Sequence, residues 1–277
     1  MSEYRLLIET NDQKGLVYNI SKLLFEYNLN IENNSEYVDK DTNKFFMRTV
    51  IEGDFDQKKL YSELLAILPE NSEIKLTKKT KKDIVILATK EMHCLGDLLI
   101  KHTAKQLDAN ITAVISNHDS LRYLVEKFDI PFEYVSHENL SREDHEDLII
   151  KAIKKYNHEV IVLAKYMRIL TPNFVKTFPQ KVINIHHSFL PAFIGANPYK
   201  QAFTRGVKII GATSHFVTDD LDEGPIIAQD IVRVNHTYSW EDMRDAGRNV
   251  EKVVLSNALD LVLKDKVFVY GNKTVIL

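Results

Sequence analysis

The chain has 277 residues, of which 44% are hydrophobic and 27% charged, a composition that is ordinary for globular proteins and long enough for two domains. Its net charge of -3 argues against a general nucleic-acid binder, which normally carries a basic excess. The single cysteine, Cys94, excludes an internal disulfide and fits a reducing compartment. Neither a targeting segment nor a membrane-spanning apolar stretch is recognisable, so we expect a cytoplasmic protein that does not contact membranes.

The first part of the chain predicts a small α/β domain. Residues 4–9 form a short apolar strand pattern, and apolar residues from Leu16 to Tyr27 recur at helical spacing. Two further strand patterns, an amphipathic helix around residues 60–68 and a last strand at 73–76 follow. This βαββαβ order predicts a ferredoxin-like domain over residues 1–77.

A short lysine-rich run follows this domain. It contains Lys78, Lys79, Lys81 and Lys82. So few charges favour a solvated linker over residues 78–83, although an anion-binding patch would have the same composition.

The remainder, residues 84–277, predicts a second domain. Short continuous apolar runs at residues 84–88, 111–115 and 160–164 alternate with helical patterns. Strands that alternate with helices indicate a doubly wound, mostly parallel, Rossmann-like sheet. Residues 243–263 predict one long helix, and Gly271-Asn272 lies between two strand patterns that form a hairpin candidate.

The segment Val182 to Pro191, V-I-N-I-H-H-S-F-L-P, is the most informative stretch. Asn184 and His186 are two residues apart, so they point to the same side of an extended strand. Ligands in open α/β sheets bind beyond the carboxyl ends of strands. We therefore expect this amide and this imidazole to form half of an active site.

An acidic loop downstream supplies candidates for the other half. Residues 207–217 predict a strand, and the loop that follows carries four acidic residues before Gly224-Pro225: Asp219, Asp220, Asp222 and Glu223. Crowded carboxylates raise one another's pKa, which suits general acid–base chemistry.

Together these motifs resemble the signature of the formyltetrahydrofolate-dependent formyltransferase fold. The matching segments are Asn184-Ile-His186, Ser188-Phe-Leu-Pro191 and His215-Phe-Val-Thr-Asp-Asp-Leu-Asp222-Glu-Gly224. The resemblance implies that Asn184, His186 and Asp222 are catalytic, and that the reaction requires neither a metal nor a cofactor.

The first βα turn of the second domain, A-T-K-E-M-H-C-L-G-D, has no glycine-rich phosphate loop. It resembles the deformylase branch of the family, as does His187, where the transferases have proline. This implies hydrolysis of 10-formyltetrahydrofolate to tetrahydrofolate and formate, which would supply formate to purine synthesis and balance the one-carbon pool. The order of proton transfer stays open, because either His186 or Asp222 could be the base.

The resemblance also implies a folate pocket. It places Met167, Arg168, Ile169 and Leu170 against the pterin and His215, Thr218, Asp219 and Asp220 near the substrate. From the residues alone, Met167, Ile169 and Leu170 could equally be core. Arg205, Lys208 and Lys90 are candidates for contacting the glutamate tail, and Cys94 for either a packing role or a nucleophile.

The turn Asn11-Asp12-Gln13-Lys14-Gly15-Leu16-Val17 resembles the ACT regulatory domain. This implies assembly of paired domains into a homodimer or homotetramer, and an amino-acid effector, such as glycine or methionine, near Asp12 and Gly15. The alternative is a loop in which Asp12 caps its helix.

Three other interpretations stay open at this point. The protein could transfer the formyl group to an amine, or it could be an amino-acid sensor that binds folate without turnover. His186, His187, His215 and Asp222 could also bind a metal, but adjacent residues on a strand point to opposite faces, so we expect no metal site.

Overall fold

The structure is a computed structural model that describes residues 2–192 and 197–277. It divides into two compact units. The first comprises Met1–Thr80, Asp265–Tyr270 and Val275–Leu277, and the second comprises Lys81–Lys264 and Gly271–Thr274.

This division differs from the predicted boundary, which assigned residues 84–277 to one domain. The C-terminal segment, here Asp265–Tyr270 and Val275–Leu277, belongs to the first unit because its side chains provide apolar and charged contacts there. Phe268 and Tyr270 contact the buried ring of Phe46, and Asp265 accepts a hydrogen bond from Arg5 at 3.0 Å. These contacts link residues far apart in sequence, which composition does not reveal.

The first unit has the predicted βαββαβ order. Its elements are β1 (Ser2–Asn11), α1 (Leu16–Glu26), β2 (Asn30–Asp39), β3 (Lys44–Gly53), α2 (Gln57–Ile67) and β4 (Glu73–Lys78). The strands form an antiparallel sheet in the order β2-β3-β1-β4. The apolar faces of the helices bury Leu16, Ile20, Leu60 and Leu64 in one core with the sheet.

The second unit is built on a seven-stranded sheet in the order β11-β10-β9-β8-β5-β6-β7. Its strands are β5 (Lys82–Ala88), β6 (Ala109–Ser116), β7 (Phe132–Tyr134), β8 (Val160–Ala164), β9 (Val182–His186), β10 (Ile209–Phe216) and β11 (Ile226–Arg233). Its helices are α3 (His93–Thr103), α4 (Arg122–Glu126), α5 (Arg142–Ile153), α6 (Pro172–Thr177), α7 (Pro198–Arg205) and α8 (Trp240–Leu263), with a 3-10 turn at Asp119–Leu121. Two short strands, β12 (Val267–Tyr270) and β13 (Lys273–Ile276), pair as the predicted hairpin.

The order of the parallel strands positions the site. β5 to β9 run parallel, and the chain changes direction across the sheet between β5 and β8. The carboxyl ends of strands at such a point border a crevice. β10 pairs antiparallel with β9 and brings His215 opposite Asn184 and Thr213 opposite His186.

β11 is the strand that the sequence did not predict. Only one of its eight residues is buried, because it lies at the edge of the sheet, so it lacks a continuous apolar run. Helix α8 was predicted from Met243 and begins at Trp240, where Ser239 and Asp242 form a capping box. None of the helices in the described ranges is both long and apolar enough to cross a bilayer.

Candidate active site

One cavity of about 740 Å³ lies at the carboxyl ends of β8 and β9 in the second unit. Its size is within the range of small-molecule binding sites. It is lined by each residue that the family resemblance assigned to catalysis or to the folate pocket: Met167, Arg168, Ile169, Leu170, Asn184, His186, His215, Thr218, Asp219, Asp220 and Asp222. These residues therefore lie together, as expected, although their position alone does not assign their roles.

Asn184 is oriented by His215. Nδ1 of His215 faces the carbonyl oxygen of Phe216 at 2.9 Å, so this nitrogen carries the proton. Nε2 of His215 then accepts a hydrogen bond from Nδ2 of Asn184 at 3.2 Å. This leaves the rest of the Asn184 amide for the cavity.

His186 is oriented by Asp222. Nδ1 of His186 lies 3.2 Å from Oδ1 of Asp222, whereas Nε2 of His215 lies 3.7 Å from the same oxygen. Among residues 2–192 and 197–277, Nε2 of His186 has no hydrogen-bond partner, although it is buried. A buried nitrogen without a partner is costly, which is typical of a functional site.

The acidic loop does not behave as crowding predicted. Burial would raise the pKa of Asp222, but the hydrogen bond and the charge of His186 lower it well below its usual range. The expectation of a raised pKa is therefore wrong for Asp222, because His186 is closer to this carboxylate than sequence spacing suggested. Asp222 is ionised at neutral pH.

Gly224 fixes the loop against β10. A Cβ at this position would lie 1.8 Å from the carbonyl oxygen of Phe216, so only glycine fits. The neighbouring backbone is tied down by a bond from Phe216 N to Pro225 O of 2.9 Å. Since the same Phe216 carbonyl holds His215, the loop and the strand are positioned together.

Part of the cavity lining is apolar and exposed. Met167 and Ile169 are 59% and 49% exposed, and Leu221 is 55% exposed. The core alternative for Met167 and Ile169 is therefore wrong, because these exposed side chains line the cavity, whereas Leu170 lines the cavity and also packs against the core. With Trp240, which the sequence analysis did not single out, they provide a surface for a flat aromatic ligand.

The cations of the cavity differ from those suggested for a glutamate tail. Lys90, Arg205 and Lys208 are not among the residues that line it in the described ranges. It is lined instead by Lys165, Arg168, Lys200, Arg244 and Arg248.

A buried ionic cluster borders the cavity and was missed by the sequence analysis. Glu251 on α8 is 1% exposed and accepts hydrogen bonds from Tyr199 at 2.5 Å and His93 at 2.8 Å, with Lys165 Nζ at 3.2 Å. His93 also lies 3.3 Å from Glu91. One signal could have found it: Glu251 is at helical spacing from the buried Gly247, Val254 and Ala258.

The pKa values in this cluster shift strongly. Burial would lower the pKa of His93, but its neighbours Cys94, Glu251 and Glu91 raise it to about 11. Burial would raise the pKa of Glu251, but His93, Lys165 and Tyr199 lower it to about 2. Cys94 is buried outside the cavity lining and burial raises its pKa, which supports packing over a nucleophilic role.

His187 also lines the cavity. β9 ends at His186, so the alternation of faces stops there and both imidazoles border the same space, with ring centroids 5.0 Å apart. These two histidines therefore do not point to opposite faces, and the prediction based on strand alternation is wrong here.

Only one group of side chains in the described part of the chain has the spacing of a metal site, and it is His93, Cys94 and Glu251. Glu251 there is already paired with Lys165 and His93, whose positive charges disfavour a cation.

Residues 82–259 match the family model described as formyl transferase. The chain is 59% identical to the formyltetrahydrofolate deformylase of Escherichia coli O6:H1 over 96% of this chain and 95% of that protein. The structure resembles that of a formyltetrahydrofolate deformylase from Pseudomonas syringae pv. tomato, with a TM-score of 0.95, 42% identity and coverage of 100% of this chain and 95% of the other.

A related transferase resembles a smaller share of the chain. The glycinamide ribonucleotide transformylase 1 of Symbiobacterium toebii matches with a TM-score of 0.68 and 28% identity, covering 71% of this chain and 94% of its own. The similarity to deformylases thus extends over a segment of the chain that the transformylase does not match.

Proposed function

Because the chain belongs to the formyltetrahydrofolate deformylases of the formyl transferase family, we infer that it hydrolyses 10-formyltetrahydrofolate to tetrahydrofolate and formate. The whole-length similarity supports this activity over transfer to an amine and over a sensor without turnover. We propose that Asn184, His186 and Asp222 carry the reaction without a metal or cofactor. The observation that supports this most directly is their meeting in one cavity, with Asp222 3.2 Å from His186.

Asn184 and His186 stabilise the negative charge that develops on the formyl oxygen. His215 accepts one Asn184 N–H, which leaves the other as a donor. Nδ1 of His186 donates to Asp222, and Nε2 is the nitrogen left for the substrate. Removing one such donor typically lowers kcat by about 10²–10³.

Asp222 is the ionised partner of His186. Its carboxylate stabilises the imidazolium form, in which Nε2 carries a proton to donate. It also offers acceptor positions to a water molecule in the cavity. The pKa of Asp222 is lowered well below its usual range, so orienting water and His186 suits it better than holding a proton.

The substrate lies across the exposed apolar wall. Met167, Ile169 and Leu170 contact the pterin, the backbone at Arg168 meets its polar edge, and Thr218, Asp219 and Asp220 border it from the acidic loop. The cavity cations Arg244 and Lys200 are suited to the acidic tail. The formate released would enter purine synthesis.

The test is formate release from 10-formyltetrahydrofolate by the purified protein in buffer without an amine. We expect release by the wild type, also in the presence of a chelator, and at least about 10²-fold slower release by Asp222→Asn. Asp54→Asn, an exposed aspartate of the first unit, is the matched control and keeps the wild-type rate. Formate that appears only after an amine is added contradicts the hydrolase, and an active Asp222→Asn contradicts the assigned site.

We further propose that the first unit is an ACT-like regulatory domain that binds an amino acid such as glycine or methionine near Asp12 and Gly15. Gly15, not Asp12, is the N-cap of α1. Its φ of 89° is a conformation that favours glycine, and the residue is exposed to solvent. Asp12 N donates to Asn43 O at 2.8 Å, which ties this turn to the turn between β2 and β3.

Pairing of first units would give the homodimer or homotetramer. β2 is an edge strand, and Tyr18 and Phe25 on α1 are 68% and 81% exposed at a spacing of seven residues. Light scattering should therefore show a dimer or tetramer, and glycine or methionine should change the rate of formate release in the wild type but not in Asp12→Asn. A monomer, or equal responses, would contradict this assignment.

A further inference from the structure

His187 lines the cavity without an assigned task. It follows the last residue of β9, so its ring shares the cavity with that of His186 at a centroid distance of 5.0 Å. Within residues 2–192 and 197–277, the ring of His187 makes no hydrogen bond to protein, and its only other ring contact is Tyr199 at 6.1 Å.

The two other histidines of the proposed site, His186 and His215, are already engaged. Both nitrogens of His215 are bonded, to Phe216 O and Asn184. Nδ1 of His186 is bonded to Asp222, and Nε2 is needed as a donor to the formyl oxygen. Hydrolysis still requires an acceptor for a proton of the attacking water and a donor to N10, since the amine leaves poorly as an anion.

The surroundings of His187 keep it neutral. Burial, then the charges of Lys165 after β8 and His186 on β9, lower its pKa to about 4, against the opposing effect of Glu251 on α8 and Asp222 in the acidic loop. A neutral imidazole has one free acceptor nitrogen. Once protonated beside Lys165, it returns the proton readily.

The position of Lys165, whose charge lowers the pKa of His187, is fixed by its backbone and by an ion pair. It has φ 61°, a left-handed conformation that is unusual for a residue other than glycine, and its ammonium lies 3.2 Å from the buried Glu251. Its side chain is 5% exposed, so its charge is screened little by solvent.

We propose that His187 is a further catalytic residue that carries the proton from water to N10. As the water oxygen bonds to the formyl carbon, the carbonyl electron pair moves to the oxygen held by Asn184 and His186, and His187 takes one water proton. His187 then gives that proton to N10, the carbonyl reforms and the C–N10 bond breaks. The products are tetrahydrofolate and formic acid, which loses its remaining proton to solvent as formate. This step rests on the proposed site, because it requires the formyl carbon to lie between His187 and Asn184.

The test compares His187→Gln with His236→Gln, the same substitution at an exposed histidine. We expect His187→Gln to lower kcat by about 10²–10⁴ with little change in KM, while His236→Gln leaves both unchanged. The wild-type rate should fall on an acid limb near pH 4, the pKa of His187, and this limb should be absent from the residual rate of His187→Gln. Added imidazole should restore formate release to His187→Ala, with rates that depend on the pKa of the imidazole supplied.

Two results would overturn the proposal: a kcat for His187→Gln within about threefold of the wild type with an unchanged pH profile, or a folded His187→Ala that no imidazole rescues. Asn184→Ala, measured in parallel, separates this failure from that of the site itself. If Asn184→Ala is slow and His187→Gln is not, only the role of His187 is wrong, whereas two active variants show that the site is misassigned.

Discussion

Gly224 shows how one missing side chain positions the catalytic groups. The hypothetical Cβ would lie 1.8 Å from the oxygen of Phe216, which accepts the hydrogen bond of His215. Gly224→Ala must therefore displace the loop that carries Asp222 or the strand that carries His215. We expect the rate of formate release to fall by at least about tenfold, since small displacements of catalytic groups lower reaction rates strongly.

Gly96→Ala is the matched control for that measurement. Gly96 lies within helix α3, and apart from its chain neighbours and the backbone of the helix itself, no atom of residues 2–192 and 197–277 comes within 4 Å of a Cβ there. Alanine there should raise helix stability by about 0.5–1 kcal/mol and leave the rate unchanged. Equal rates for both variants would show that the contact of Gly224 with Phe216 does not position the site.

At the scale of residues, the sequence predicted which side chains meet but not their electrostatics. Asn184 and His186 were placed together by their spacing on one strand, and Asp222 by resemblance. The direction of the Asp222 pKa shift was wrong, because it depends on His186, whose distance from Asp222 arises from the pairing of β9 with β10. His187 was placed on the wrong side because strand alternation was extended one residue too far.

Helix α8 carries the clearest prediction at the scale of elements. Glu251 is buried among Tyr199, His93 and Lys165, and Gly247 one turn earlier leaves room for the Tyr199 ring. Glu251→Gln leaves the buried ammonium of Lys165 without its anion and removes one of the two carboxylates beside His93, a loss that typically costs about 3–5 kcal/mol. Urea denaturation followed by the fluorescence of Trp240, the only tryptophan, should show this loss. Glu241→Gln, at an exposed position of the same helix, should change stability by less than about 0.5 kcal/mol.

The same cluster predicts how stability depends on pH. The pKa of His93 is raised from 6.5 to about 11, so its contribution is fully present below pH 6.5 and is lost as the pH rises towards 11. The pKa of Glu251 is lowered from 4.5 to about 2, so its contribution is present above pH 4.5 and is lost as the pH falls towards 2. We expect the urea midpoint to decline between pH 7 and 10 in the wild type, and less so in His93→Gln. If the urea midpoint declined equally in the wild type and in His93→Gln, this pH dependence would not come from His93.

Elements with strong periodicity were predicted and those without it were not. α8 is amphipathic over many turns, and its predicted end, Leu263, is the observed one. β11 is an exposed edge strand, so its assignment depends on pairing with β10 instead of on its own apolar pattern. The ionic cluster joins α3, α7 and α8 with Lys165, which follows β8, and no local pattern connects residues so far apart.

At the scale of the whole molecule, the C-terminal segment belongs to the first unit. Oδ2 of Asp265 accepts from Arg5 at 3.0 Å and Oδ1 from Lys75 at 2.7 Å, while its carbonyl oxygen accepts from Arg48 at 3.0 Å. The side chains of Arg5 and Asp265 are both 4% exposed, so this pair is buried. The first unit therefore requires Asp265 to pair the buried charges of its strands.

This arrangement predicts that Asp265→Ala destabilises the first unit by about 3–5 kcal/mol, the usual effect of removing one partner from a buried ion pair. Hydrogen exchange is the suitable measurement, because Trp240 reports on the second unit, and faster exchange should appear in peptides from β1 and β3. Asp260→Ala is the control: its pair with Lys264 is 2.8 Å long but its side chain is 45% exposed, so the expected change is below about 1 kcal/mol. Unchanged exchange in Asp265→Ala would mean that the apolar contacts of Phe268 with Phe46 suffice to hold the segment. Phe268→Ala would then accelerate exchange in the same peptides.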